Sequence, residues 1–203
     1  MIEDSYNTII EDTFTEGFYK EKGSKFVAYV FHVKNETDIN EKMEWVKKEH
    51  YAARHHCYAY RLKPNGSVFR ANDDGEPNNS AGKPILGQLL AFDITNALAI
   101  VVRYFGGTKL GVGGLIHAYK EATADALQQA EIEEKTVDES FTVYFGYPEM
   151  NIVMRILKEL EPKTIEQKLE LTCEINFTIR KRDSEKVIQK FSNLKNIKLK
   201  ETE

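Results

Sequence analysis

From Arg103 the chain runs Arg-Tyr-Phe-Gly-Gly-Thr-Lys-Leu-Gly-Val-Gly-Gly-Leu, placing Gly106, Gly107, Gly111, Gly113 and Gly114 within nine residues. Each glycine costs conformational entropy on folding, so this density predicts a loop whose shape side chains would obstruct. Such a loop ahead of a helix can aim main-chain N–H groups at an anion, and the helix N-terminus adds about half a positive charge. Arg103 and Lys109 supply full charges, and His117 lies one turn into the helix that follows. Neither a Walker A motif nor the GxGxxG dinucleotide fingerprint is present. The competing explanation is a tight turn where strand and helix backbones pack closely.

A second segment, Arg70-Ala71-Asn72-Asp73-Asp74-Gly75-Glu76-Pro77, continues through Ser80-Ala81-Gly82-Lys83-Pro84. Asp73, Asp74 and Glu76 could hold Mg²⁺ or do acid/base work. Asx and glycine turns explain the same residues without any ligand, so a loop that orients a groove is the favoured reading and no metal site is assigned. A third segment, Ala52 to Tyr60, contains His55, His56 and Cys57. Neighbours on a strand point to opposite faces, so His56 and Cys57 do not share one site, and zinc binding and thiol catalysis are both minor readings. The segment is read as a strand start that lends one polar side chain, His56, to the groove. Tyr58, Tyr60, Phe69, Tyr104 and Phe105 could stack bases, although strand aromatics are core residues by default.

These residues must be positioned by elements that the sequence also announces. Phe14–Lys20 and Lys25–Val33 predict a hairpin about Lys22-Gly23-Ser24, and a helix capped by Asn35 or Thr37 follows to about His50, with Ile39, Met43, Trp45 and Val46 near one face. Cys57–Leu62 and Val68–Ala71 flank Lys63-Pro64-Asn65-Gly66, whose Asn-Gly pair predicts a tight hairpin. A helix from near Pro84 to about Phe92 leads to Ala97–Phe105, a continuous apolar run expected of a central strand covered on both faces. Leu115 to about Ala130 predicts a helix whose Ala118, Ala122 and Ala126 allow close packing on a sheet.

With 203 residues, two domains are expected. Charged, apolar-poor Glu131–Glu139 marks the boundary, giving residues 1–135 and 136–203. The second part predicts strand, helix, one or two strands over Glu166–Arg182, helix and strand, the βαββαβ order of a ferredoxin-like domain. The whole is an α+β protein. Its net charge of −4 excludes a uniformly basic nucleic-acid binder, and the charge is uneven: residues 1–138 carry 16 basic and 21 acidic side chains, the remainder 12 and 11. Any anion site must therefore be local. No apolar run approaches the roughly 18 residues of a membrane span, the first residues are acidic, and two cysteines make no disulfide framework. A cytoplasmic protein without membrane attachment is expected.

The motifs Ser24-Lys25-Phe26, His55 to Arg61, Arg70 to Pro77, Ser80 to Leu86 and Val101 to Tyr119 together resemble the Impact family, whose bacterial branch is often called YigZ. The resemblance implies an N-terminal domain like the second domain of ribosomal protein S5 and a ferredoxin-like C-terminal domain like the last domain of translational elongation factors. It also implies a link to translation, since eukaryotic relatives compete with a starvation-sensing kinase for its activator; what carries over is association with the ribosome or RNA. Family members commonly have arginine at the position of His117 and asparagine at that of His56. The expected function is that of a non-enzymatic regulator binding RNA, the ribosome or another anionic partner, without a resident cofactor. A Mg²⁺-dependent enzyme acting on a phosphorylated or nucleotide substrate, or a protein-interaction module, are the alternatives.

Overall fold

The computed structural model describes residues 4–202; Met1 to Glu3 and Glu203, which the expected domains included, lie outside the described residues. The chain divides into two compact units, Tyr6–Lys135 and a C-terminal unit that begins at Thr136 and also contains Asp4 and Ser5.

The larger unit is built on one antiparallel sheet. β1 (Ser5–Ile9) precedes the hairpin of β2 (Phe14–Glu21) and β3 (Ser24–His32), followed by α1 (Glu36–Glu49), β4 (His55–Leu62), β5 (Val68–Asn72), α2 (Gly82–Ala91), β6 (Ala97–Tyr104), α3 (Gly111–Gln129) and β7 (Ile132–Thr136). The sheet order is β2-β3-β6-β4-β5. Alternation along each strand divides the side chains between two cores. Phe26, Ala28, Val30, Cys57, Ala59, Ala99 and Val101 face a core shared with α2 and α3, whereas Val27, Tyr29, Phe31, Tyr60, Leu98, Ile100 and Val102 share the opposite core with α1. This is why the central strand β6 reads as an unbroken apolar run. α3 lies close to the sheet because Ala122 and Ala126 meet Gly17 of β2, where an added Cβ would come within 2.3 Å of the Ala126 nitrogen.

Several expectations are met locally. The first hairpin turns on Lys22 and Gly23, both at positive φ, as a two-residue connection of matching twist requires. Asn35 is the cap of α1, its Oδ1 accepting from Asp38 N at 3.0 Å. The second hairpin departs from the tight Asn-Gly turn: positive φ falls on Lys63 and Gly66, and Asn65 Oδ1 instead accepts from Ser67 N in an Asx turn, so the connection is five residues long. α2 begins two residues before Pro84, with no cap from its own N-terminal side chains. Asp73 substitutes, accepting from Asn79 N, Ala81 N and Gly82 N at 2.8 to 2.9 Å.

The polar stretch after α3 is not a bare linker. Residues Ile132–Thr136 form β7, which pairs with β1 as a separate two-stranded sheet. Lys135 ties the pair to the preceding turn through Glu11 at 2.7 Å. With Ile132 its one large apolar residue, and that one exposed, nothing in its composition signals a strand.

The C-terminal unit runs β8 (Asp138–Phe145), α4 (Met150–Leu160), β9 (Thr164–Leu169), β10 (Cys173–Arg180), α5 (Ser184–Ser192) and β11 (Lys198–Thr202). Its antiparallel order β11-β8-β10-β9 is the ferredoxin-like arrangement expected of βαββαβ. Phe141, Val143, Ile175 and Phe177 on one sheet face pack with Val153, Leu157, Val187 and Phe191 of the two helices. Asp4 joins this unit through Arg180, whose Nε lies 2.5 Å from its carboxylate, and through its carbonyl, which accepts from Val137 N. Among the described residues no helix is long and apolar enough to cross a membrane.

Candidate functional site

Where β6 ends and α3 begins, the larger unit has an open cavity of about 480 Å³, lined by Arg54, His55, Glu76, Pro77, Arg103, Phe105, Lys109, Leu110, Gly111, Val112 and Leu115. The glycine-rich loop is its rim. α3 starts at Gly111, four residues earlier than expected, so that Gly111, Gly113 and Gly114 belong to its first turn. The first four amides of any helix lack intrahelical acceptors, and here no side chain caps them and no acidic residue neutralises the helix end.

The five glycines serve different ends. An added Cβ on Gly106 would stand 1.9 Å from the carbonyl carbon of Gly23, and its amide donates to Ser24 Oγ at 3.2 Å, so this residue locks the loop onto the β2–β3 turn. The packing explanation holds at that position. Gly107 and Gly111 carry positive φ, and apart from adjoining residues and the nearby backbone of α3 no atom lies within 4 Å of a Cβ built on Gly107, Gly111 or Gly113; one built on Gly114 would sit 3.1 Å from Leu110 Cβ. The far side of the loop is therefore bare main chain facing open space.

Beneath the rim lies a buried polar relay. Arg103 donates from Nη1 to Glu76 Oε1 at 2.7 Å, and the Tyr119 hydroxyl donates to the same oxygen at 2.9 Å. The Arg103 and Glu76 side chains are 8% and 4% exposed. The guanidinium carbon sits 5.7 Å from the ring centres of both Phe26, fully buried, and Phe105, which is exposed. Cys57 Sγ approaches the relay, 3.3 Å from Tyr119 Oη, and donates to the Asp73 carbonyl at 2.9 Å. Burial pushes both the Cys57 thiol and the Tyr119 hydroxyl well above their ordinary values, leaving each protonated and unfit as a nucleophile or base.

Of the residues singled out from the sequence, Glu76, Arg103, Lys109 and Gly111 thus line one cavity. Asp73 and Asp74 are used elsewhere: Asp73 caps α2 and Asp74 Oδ2 accepts from His56 N at 2.7 Å. The three carboxylates do not converge, and among the described residues no group of three or more His, Cys, Asp or Glu is placed to hold a metal ion. His117 stands outside the lining, 3.7 Å from Glu121 and edge-on to Tyr19. The aromatic residues separate by exposure: Tyr60 is buried and Tyr104 bonds to His50, while Phe105 reaches the cavity. Arg54, which no spacing rule distinguished, supplies a third cation. Among the described residues neither it nor Lys109 makes an ion pair.

His56 lies on the α1 face of β4, away from the cavity, with Nε2 3.2 Å from the His50 carbonyl. Burial is the main influence on it and holds its pKa below the usual histidine value; the same is true of His50. A depressed folded-state pKa means that the unfolded chain binds more protons, so stability is full above about pH 6.5 and falls as the pH drops toward the folded value. Thermal melts from pH 8 to pH 5 are expected to show this loss, with a shallower dependence in His56→Asn. An unchanged slope in the variant would assign the effect to other groups.

The family model described as the Impact N-terminal domain matches residues 22–127, more than half of the chain. The chain belongs to the Impact family. An Impact family member of Haemophilus influenzae is 34% identical over 174 residues, covering 85% of this chain and 82% of that protein. The Bacillus subtilis Impact family member YvyE is 39% identical over 112 residues, and there the match spans only about half of the relative's length, 52%, and 55% of this chain. A crystal structure of a protein described as hypothetical superposes with a TM-score of 0.72 at 27% identity, covering 98% of both chains. The Impact match contains the whole cavity lining, from Arg54 to Leu115.

Proposed function

We propose that this protein is a non-enzymatic regulator of translation that holds an anionic group of RNA or of the ribosome at the first turn of α3. The observation that carries the reading is the uncapped helix start at Gly111, opening on a cavity with Lys109, Arg54 and Arg103 around it. Main-chain amides, a helix dipole and the unpaired cations Lys109 and Arg54 at one mouth are what a phosphate oxygen requires. Family membership supports the translational part, because the resemblance to eukaryotic members implies a role in translational control. A catalytic role gains little support from the same residues: Glu76 is engaged by Arg103 and Tyr119, and Cys57 is an inert buried thiol.

Binding through several phosphates releases counterions, so affinity for a short single-stranded RNA should fall steeply with salt. Lys109→Ala is expected to weaken binding at every sequence and to reduce the slope of log affinity against log salt by about 1. A salt-independent affinity, equal in wild type and Lys109→Ala, would remove the proposal.

A further inference from the structure

A clamp for phosphate alone has no use for much of this cavity's wall. Pro77, Phe105, Leu110, Val112 and Leu115 present an apolar surface beside the cations. Phe105 is 58% exposed, an aromatic face turned outward with the Arg103 guanidinium behind it. Planar ligands stack on such a face.

Two polar groups next to that face are incompletely used. Arg103, more than nine-tenths buried, has its Nε without a hydrogen-bond partner. Glu76 commits Oε1 to Arg103 and Tyr119, while Oε2 accepts no hydrogen bond among the described residues. Arg103 Nε is sealed off from the cavity, but Glu76 lines it, and an open carboxylate oxygen on that wall calls for a ligand with a donor edge. A planar apolar body, an edge with N–H donors, and an attached anion are the three parts of one nucleotide.

Resting on the anion reading above, we propose that the cavity takes a single nucleotide unit. Its base lies on Phe105, its amino edge donates to Glu76 Oε2, and its phosphate meets the amides from Gly111 onward together with Lys109. The carboxylate selects among bases. Guanine can turn both its N1–H and its amino group toward Oε2 in a shared contact, Oε1 being taken by Arg103 and Tyr119, whereas the single imide N–H of uracil sits between carbonyl oxygens that a carboxylate repels. Guanine is therefore favoured and uracil disfavoured. Free mononucleotide and an unpaired guanosine in an RNA strand offer the same chemistry.

Calorimetry on the full chain decides, using GMP, UMP, inorganic phosphate, and five-residue RNAs that are either all uridine or carry one central guanosine. GMP is expected to bind about ten-fold or more tightly than UMP. Phe105→Ala, at a position 58% exposed, should lose about ten-fold for GMP and nothing for phosphate, with an unchanged circular dichroism spectrum as the check on folding. The guanosine-bearing RNA binding more tightly than GMP identifies a strand as the source, and equal or weaker binding identifies the free nucleotide. Equal affinities for GMP, UMP and phosphate, still weakened by Lys109→Ala, would overturn the nucleotide inference and leave the anion reading standing. Indifference to Lys109→Ala as well would overturn both. A peptide α-carboxylate that binds through Phe105 where GMP does not would also overturn it.

Discussion

Glu76→Ala is expected to destabilise the larger unit by about 3–5 kcal/mol, because it leaves the Arg103 charge and the Tyr119 hydroxyl buried without their shared acceptor. The size follows from burial. An exposed ion pair contributes about 0–1 kcal/mol, but a guanidinium enclosed between Phe26 and Phe105 cannot recover its lost hydration from bulk water. Urea unfolding of the single variants and of Glu76→Leu combined with Arg103→Met separates the charge from the packing. The double variant should be more stable than Glu76→Ala alone, since both charged partners are then gone. A loss below about 1 kcal/mol in Glu76→Ala would mean that water reaches Arg103 through the cavity and that the relay is not a sealed element.

Gly106→Ala and Gly113→Ala are expected to act in opposite directions, although seven residues separate them in one loop. At Gly106 the new Cβ would meet the backbone of Gly23 and Ser24 at 1.9 to 2.3 Å, and backbone cannot swing aside as a flexible side chain can. Overpacking against main chain should cost about 3 kcal/mol or more and detach the loop from the β2–β3 turn. At Gly113 the space is empty and the residue is helical, so alanine should stabilise α3 by up to about 1 kcal/mol. The same methyl group would stand where a ligand must approach the helix start, and Gly113→Ala should bind RNA less well while being the more stable protein. Chemical denaturation and RNA titration of both variants check this. A Gly113→Ala protein that is stabilised and binds normally would show that nothing approaches that face of the helix.

Much of this architecture was written locally. The period-2 strands, the Asn35 cap, the alanine face of α3 and the alternating core of the C-terminal unit depend on neighbours within a few residues, so composition and spacing announce them. β7 was not legible, since it exists through its pairing with β1, more than a hundred residues distant, and through Lys135 meeting Glu11. The candidate site was half legible. Glycine density and the flanking cations drew notice to the right loop, but they did not distinguish Gly106, held against another backbone, from Gly113, where a side chain would meet open space. Nor did three carboxylates in four residues disclose their separate tasks: Asp73 on the start of α2, Asp74 on the backbone of β4, Glu76 beneath Arg103.

The amino-acid sequence by itself determined the elements, the order of the two units and the family, because each rests on side-chain period and motif spacing. Only the tertiary structure decided which polar residues share a cavity. Arg54, Glu76 and the Arg103–Lys109 run come from three separate stretches of chain, and their meeting depends on the antiparallel order of β4 and β6 and on where α3 begins. A cation's meaning changes with its surroundings: the charge of Arg103 is matched and largely dried by burial, while that of Lys109 remains free at the rim.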